Sequence, residues 1–153
     1  VIITGPKNVL FSYLASKSNI CWSADFQAIA WVEDGAIQAV AGYNGFHGQC
    51  CQMHIAGEPG RRWMKRAHLW TAFHYPFVQI GLEWMIGVVP ENNTDAMQMD
   101  LNLGFKEFAR IPDGAASGED LVMLRLHKSS PRVKKWLSLG ERYGWESHTA
   151  ATA

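Results

Sequence analysis

No apolar run in this sequence extends beyond a few residues, far short of the roughly 18 or more that a membrane-spanning helix needs. The N-terminus has no charged segment followed by an apolar one, so no secretory signal is read there. Net charge is missing too. Lys and Arg number 14 and Asp and Glu number 14, which leaves no general attraction to polyanions, so any basic site must be local. Cysteine is scarce: Cys21, Cys50 and Cys51 cannot all pair within one chain, and adjacent Cys50 and Cys51 would point to opposite faces of a strand. A disulfide scaffold is excluded. His68 and His74 miss the i, i+4 spacing of a helical metal pair, so no metal site is expected. The expectation is a soluble, cytoplasmic protein with no membrane partner. Val1 in first position adds the expectation that an initiator methionine, and an upstream strand, precede this sequence.

What is present is enough apolar material for one core. The 153 residues are 48% apolar and include seven tryptophans, which predicts a single domain over residues 1–140 and a flexible tail over 141–153. Residues 6–15 combine an early proline with apolar residues at helical spacing. Residues 26–32 alternate as a strand does, Glu33-Asp34-Gly35-Ala36 supplies a hairpin turn, and 37–43 forms the return strand. Asn44-Gly45 and His47-Gly48 read as a second turn before a third strand over 49–55. Trp63, Ala67, Trp70 and His74 line one face of a helix predicted over 61–75 and ended by Pro76. Residues 80–89 carry Glu83 as their one charge and predict a strand buried on both faces. Asn93 and its neighbours offer caps for a helix over about 94–103 that Gly104 can terminate. Residues 105–111 and 120–126 make a final strand pair.

The most specific motif is Asn93-Thr-Asp-Ala96-Met-Gln-Met99-Asp100-Leu-Asn-Leu-Gly104-Phe105. With the element order around it, this run resembles the Gcn5-related N-acetyltransferase (GNAT) superfamily, over about residues 26–127 and most strongly over 79–126. The following Phe105-Lys-Glu-Phe-Ala-Arg and Asp120-Leu-Val-Met-Leu are similar to the branch of ribosomal-protein and aminoglycoside acetyltransferases, and the short length is similar to members encoded by phages and prophages. The resemblance implies an α/β (α+β) fold: a mixed, mostly antiparallel central sheet with one parallel, splayed strand pair, flanked by helices. It implies acetyl-CoA as cosubstrate and transfer of its acetyl group to an amine on a small molecule or peptide, and it is compatible with a homodimer. The parallel pair would be the strands over 49–55 and 80–89. Two positions depart from the family pattern. The cofactor loop reads Gly57, Gly60 and Arg62, so the central glycine alone survives. The tyrosine that often protonates the departing thiolate is replaced by Asp100, leaving water, Tyr43 or Tyr75 for that task. These departures support an alternative, a GNAT-fold protein without acetyltransferase activity that acts as a phage structural or host-interaction factor, or in nucleic-acid modification.

Arg61, Arg62, Lys65 and Arg66 would crowd the first turns of the predicted helix, where the dipole opposes cations unless an anion binds at the free N–H groups. A pyrophosphate fits, and a nucleic-acid phosphate is the competing, less favoured anion. By resemblance, the cofactor would contact the backbone of Ile55, Ala56 and Gly57 and of Gly60, Arg61, Arg62 and Trp63, with Asn93 at the pantetheine arm. A base must take the proton of the acceptor ammonium, and His54 has an ordinary pKa of about 6.5 suited to that work. Glu58 and Glu83 are weaker alternatives. Asp100 would orient the amine or act as a base.

Overall fold

The computed structural model describes residues 1–145. The strands are β1 (Ile2–Ile3), β2 (Gln27–Glu33), β3 (Ala36–His47), β4 (Cys50–Gly57), β5 (Trp84–Pro90), β6 (Lys106–Ile111) and β7 (Leu121–His127). The helices are α1 (Lys7–Ala15), α2 (Arg66–His74), α3 (Thr94–Leu103) and α4 (Pro131–Tyr143). One seven-stranded sheet runs in the order β1-β2-β3-β4-β5-β7-β6. Its pairings are antiparallel except β4 with β5, which run parallel and side by side, as expected for the two central strands.

The β2–β3 hairpin turns at Asp34 and Gly35, both with positive φ, the conformation a tight turn between right-twisted strands favours. β3 is longer than its alternation predicted. Asn44-Gly45 is not a turn but an irregularity within the strand: the register with β4 shifts between Asn44 and His47, and the chain reverses afterwards at Gly48. The period-2 pattern also has two outlets. Ala28 and Ala30 of β2 join Leu10, Leu14, Phe26 and Val40 in a small cluster under α1, whereas Ile29 and Trp31 join the larger cluster with Tyr43, Phe73, Met85 and Leu124 on the other face.

The segment after β4 departs most from expectation. Helix α2 starts at Arg66, not 61, with Lys65 as its extended N-cap residue; residues 58–65 are turns that tuck the Trp63 side chain into the core. Nor does Pro76 end the helix. A π-helical turn, Tyr75–Ile80, continues it, and the wider hydrogen-bond ring there accommodates a residue that lacks an N–H. Consequently β5 begins at Trp84, and Ile80 is helical. Its burial alternates residue by residue from Trp84 to Pro90, so the strand is fully buried on one face and partly on the other.

The capped helix α3 matches its motif. The Asn93 side chain accepts from the Ala96 N–H at 3.2 Å, and Gly104 closes the helix at φ 106°, a conformation open to glycine at little cost. Replacing Asn93 with alanine should lower stability by about 1 kcal/mol, readable as a shifted denaturant midpoint. Helix α4 was not foreseen. It runs past Gly140 to Tyr143, and Trp145 then meets Trp70 at 5.9 Å; residues 146–153 of the expected tail lie outside the described residues. No helix among the described residues is long and apolar enough to cross a membrane.

Candidate active site

The parallel ladder between β4 and β5 is short. It holds the pairs Cys50 with Trp84, Cys51 with Met85 and Gln52 with Ile86, and then the strands run on to Gly57 and Pro90 with no ladder between them. The divergence opens a cleft of about 840 Å³ whose walls include residues 53–56 of β4, residues 87–90 of β5, one side of α3, and the loop that follows α1. Backbone groups on the facing edges of the two strands thus border a cavity rather than each other.

His54 and Asp100 both line this cleft from opposite faces of the sheet. Side chains alternate along β4: Cys51 and Met53 enter the large core, while Ala56, in phase with His54, packs on the cluster under α1. Asp100 reaches in from α3, whose Met99 and Leu103 belong to the large core, and its Oδ2 would lie 3.3 Å from a Cβ at Gly87. Glycine on β5 is what lets the carboxyl approach the strand so closely.

Burial moves the pKa of each away from its ordinary value. Burial pushes the Asp100 carboxyl up to about 7, because the charged form loses hydration there. Sequence reasoning left the protonation of the thiolate to water, Tyr43 or Tyr75; with its pKa raised by burial, the Asp100 carboxyl is a further group able to carry a proton near neutral pH. Burial pushes His54 in the opposite direction, down to about 4. Its Nε2 lies 2.9 Å from the Asn44 Oδ1, so Nε2–H donates and Nδ1 is left as the acceptor. His54 is a neutral hydrogen-bonding group here, a weaker base than its ordinary pKa promised.

The other candidates separate. Ile55, Ala56 and Asn93 line the cleft with His54 and Asp100; Gly57, Gly60, Arg61, Arg62 and Trp63 lie outside its walls. The Trp63 ring is buried, stacks on Trp31 at 6.4 Å, and donates its indole N–H to the Glu58 carbonyl at 3.1 Å. Because α2 starts at Arg66, the four cations do not form one group at a helix N-terminus. Lys65 pairs with Glu33, and Arg61 donates to the Asp95 carbonyl at 3.1 Å, which draws its loop toward the start of α3. Glu58 accepts from the Tyr13 hydroxyl at 2.7 Å and pairs with Lys17 at 3.2 Å; both contacts hold its pKa down, so it is no poised base. Glu83 sits at the far end of β5 and pairs with Lys128 and His127. Tyr43 is fully buried with its hydroxyl on the Ala72 carbonyl at 2.7 Å, and neither it nor Tyr75 lines the cleft. His68 binds the Trp63 carbonyl through Nδ1 and stacks on Trp31, and His74 packs on Trp70.

Asn44 went unrecognised as the partner of His54, although a strand bulge beside a buried histidine gives it that place. The wall from the loop after α1 carries no motif at all.

Solved structures share this architecture. A point mutant of spermidine N-acetyltransferase SpeG from Vibrio cholerae superposes with a TM-score of 0.71 at 13% identity, covering 92% of this chain and 99% of that chain. The same organism's spermidine/spermine N-acetyltransferase SpeG in complex with manganese ions gives 0.67 at 11% identity, over 95% and 96% of the two chains. A dodecameric structure of the Vibrio cholerae enzyme in an intermediate state gives 0.66 at 14% identity, over 84% and 94%. The chain has the GNAT fold. Its mixed seven-stranded sheet, single parallel pair and flanking helices are those of the N-acetyltransferases it superposes on. By sequence, no family model and no curated protein matches the chain. Within the GNAT fold, the cleft described above lies where two central strands part.

Proposed function

We propose that this protein transfers an acetyl group from acetyl-CoA to an amine. The observation that carries the reading is the gap between β4 and β5, bordered from one face by a protonatable carboxyl and from the other by a neutral imidazole. Acetyl-CoA supplies an activated acetyl thioester. The unpaired edges of residues 53–57 and 87–90 offer the donors and acceptors that an extended, amide-bearing chain requires, as an adjoining strand would. On this reading Arg61, which reaches the start of α3, and its exposed neighbour Arg62 would meet the phosphates, with the backbone of Gly60 and Trp63 beside them, and Asn93, which lines the cleft as well as capping α3, would meet the pantetheine arm.

In this reading Asp100 holds a proton on its carboxyl and delivers it to the sulfur as the carbon–sulfur bond breaks, the task for which the family commonly uses tyrosine. Burial gives the carboxyl a pKa close to working pH, the condition under which an acid is both loaded and able to donate. His54, neutral, accepts through Nδ1 a hydrogen bond from the incoming amine and orients it; the ammonium loses one proton to water before its nitrogen attacks the thioester carbonyl, and as the carbon–sulfur bond breaks the nitrogen loses a second proton to water, from which the Asp100 carboxylate is reprotonated.

Titration calorimetry with acetyl-CoA and with free CoA tests the first half of this proposal. Both should bind, and Arg61→Glu combined with Arg62→Glu should weaken binding by about tenfold or more, the cost of charge-assisted contacts turned repulsive. Affinity within a factor of two, in a folded variant, would remove these arginines from the phosphate site. Binding of CoA without acetylation of any amine in a broad panel would favour a GNAT-fold protein that has lost catalysis.

A further inference from the structure

We propose that Asn44 is a positioning residue for the transfer reaction: its Oδ1 holds the His54 Nε2–H, and that bond fixes the tautomer and ring angle that present Nδ1 to the incoming amine. The inference rests on the acetyltransferase reading above and goes beyond it by naming the group that makes His54 an acceptor. On the neighbouring strand β3, Gly42 stands opposite His54 and Asn44 opposite Gln52, so Asn44 is the diagonal neighbour of His54. A side chain at position 42 is precluded, because a Cβ there would lie 2.5 Å from the Leu14 Cδ1 and 2.8 Å from the Phe26 Cε2. Apolar carbon thus fills the space beside Gly42, and the hydrogen bond that the imidazole makes is the diagonal one, at 2.9 Å from Nε2 to the Asn44 amide.

Asn44 sits where β3 loses its regular register with β4, one residue before Gly45 at φ 61°. Asparagine is poorly suited to a strand interior, and before a glycine its ordinary work is to form a turn. Here the strand continues to His47, and the side-chain oxygen of Asn44 is engaged by the ring of a residue on the adjacent strand. The other ring nitrogen, Nδ1, has no partner among the described residues and is not sealed from solvent, so it opens on the cleft that His54 lines. An imidazole with both nitrogens free would exchange between its two N–H forms and could meet an amine as donor or as acceptor. With Nε2–H committed to Asn44, the lone pair is left on Nδ1. Burial, which lowers the His54 pKa to about 4, keeps the ring uncharged near neutral pH, so the tautomer and not the charge is what Asn44 controls. Were the amide turned about, Nδ2 would donate to Nε2 and Nδ1 would carry the hydrogen, unable to accept from an amine. The two arrangements make opposite predictions about one nitrogen.

The test reads tautomer and rate separately, on the purified full chain labelled with the NMR-active nitrogen isotope. At neutral pH His54 should show a pyrrole-type Nε2 and a pyridine-type Nδ1, its signals identified by their loss in His54→Gln. In Asn44→Leu these signals should move toward the average of two exchanging tautomers. With acetyl-CoA and the fastest acceptor of an amine panel that includes spermidine, lysine, glucosamine and tyramine, kcat/KM for that acceptor should fall by about tenfold to a hundredfold, the effect of a misaimed group beside the reacting atoms. Acetyl-CoA affinity should stay within a factor of two. Asn44→Asp keeps an acceptor oxygen in the same place, so it should retain the Nε2–H form and keep most of the rate that leucine loses, a rescue that a merely structural asparagine would not show. A hydrogen on Nδ1 in the original protein overturns the proposal whatever the variants do. So does an Asn44→Leu rate within twofold of the original once its tautomer has changed. Either result leaves the acetyltransferase reading standing, whereas CoA that fails to bind, or binds with no amine of the panel acetylated, overturns both.

Discussion

Replacing Asp100 with asparagine should lower acetyl transfer by about a hundredfold or more, the usual contribution of a positioned general acid, while CoA affinity stays within a few-fold of the original. The amide keeps the shape that fits against Gly87 but has no proton to deliver. The pH profile separates this from a packing effect. With the carboxyl at about 7, kcat should decline as pH rises through that value in the original protein, and this limb should vanish in the variant. Stability gives an independent reading with a definite sign. A carboxyl whose pKa is raised on folding, from 3.8 to about 7, contributes stability that is complete below the lower value and lost as pH rises through the upper one. The asparagine variant, uncharged throughout, should therefore gain thermal stability relative to the original between pH 5 and pH 9, by a few kcal/mol at most at about 1.4 kcal/mol per tenfold change. Turnover within twofold of the original and an unaltered descending limb would take Asp100 out of the chemistry.

Gly57→Ala should be the most disruptive single methyl group between the end of β4 and α2. A Cβ built there lies 2.2 Å from the Trp63 Nε1 and 2.3 Å from its Cε2, closer than real atoms approach. The ring has nowhere to retreat: Trp31 stacks behind it, His68 stacks on Trp31, and the indole N–H is committed to the Glu58 carbonyl. Overpacking of this kind costs about 1–3 kcal/mol and occasionally more, and the upper end is expected because relief would have to move backbone. Since β4 must shift to make room, CoA binding should weaken as well. Gly35→Ala is the matched control, with nothing within 4 Å of the added carbon and a strained φ of 75° as its one penalty. Equal denaturant midpoints for the two variants would mean that the Gly57–Trp63 approach is looser than described.

The motif around α3 was legible because cap, apolar stripe and terminating glycine all depend on residues within one short segment. Hairpin β2–β3 and the pair β6–β7 were legible for the same reason. Helix α2 was misplaced because Trp63 and Ala67 fall at helical spacing with Trp70 and His74, although Trp63 reaches the same core from a turn. Gly140 misled in another way. Read as a stop, it is the point where α4 approaches Trp70, at 2.3 Å from a built Cβ, and Ser130-Pro131 with Val133 and Trp136 were signals of a helix start that went unused. The candidate residues His54, Asn93 and Asp100 could be selected by motif and register. The surroundings of Asp100 could not be read, since its pKa depends on burial beside β5, and its close approach to that strand on Gly87.

Three ladder pairs join the first four strands of the sheet to the last three. Backbone hydrogen bonding therefore does little to fix how far apart β4 and β5 stand beyond Gln52 and Ile86. The spacing is set from beneath, by the side chains of Met53, Ile55, Val89, Met99 and Phe105 within and against the large core. The aperture of the cleft is accordingly a matter of side-chain volume, so conservative exchanges among these apolar residues can widen or narrow the opening while every strand pairing stays as it is.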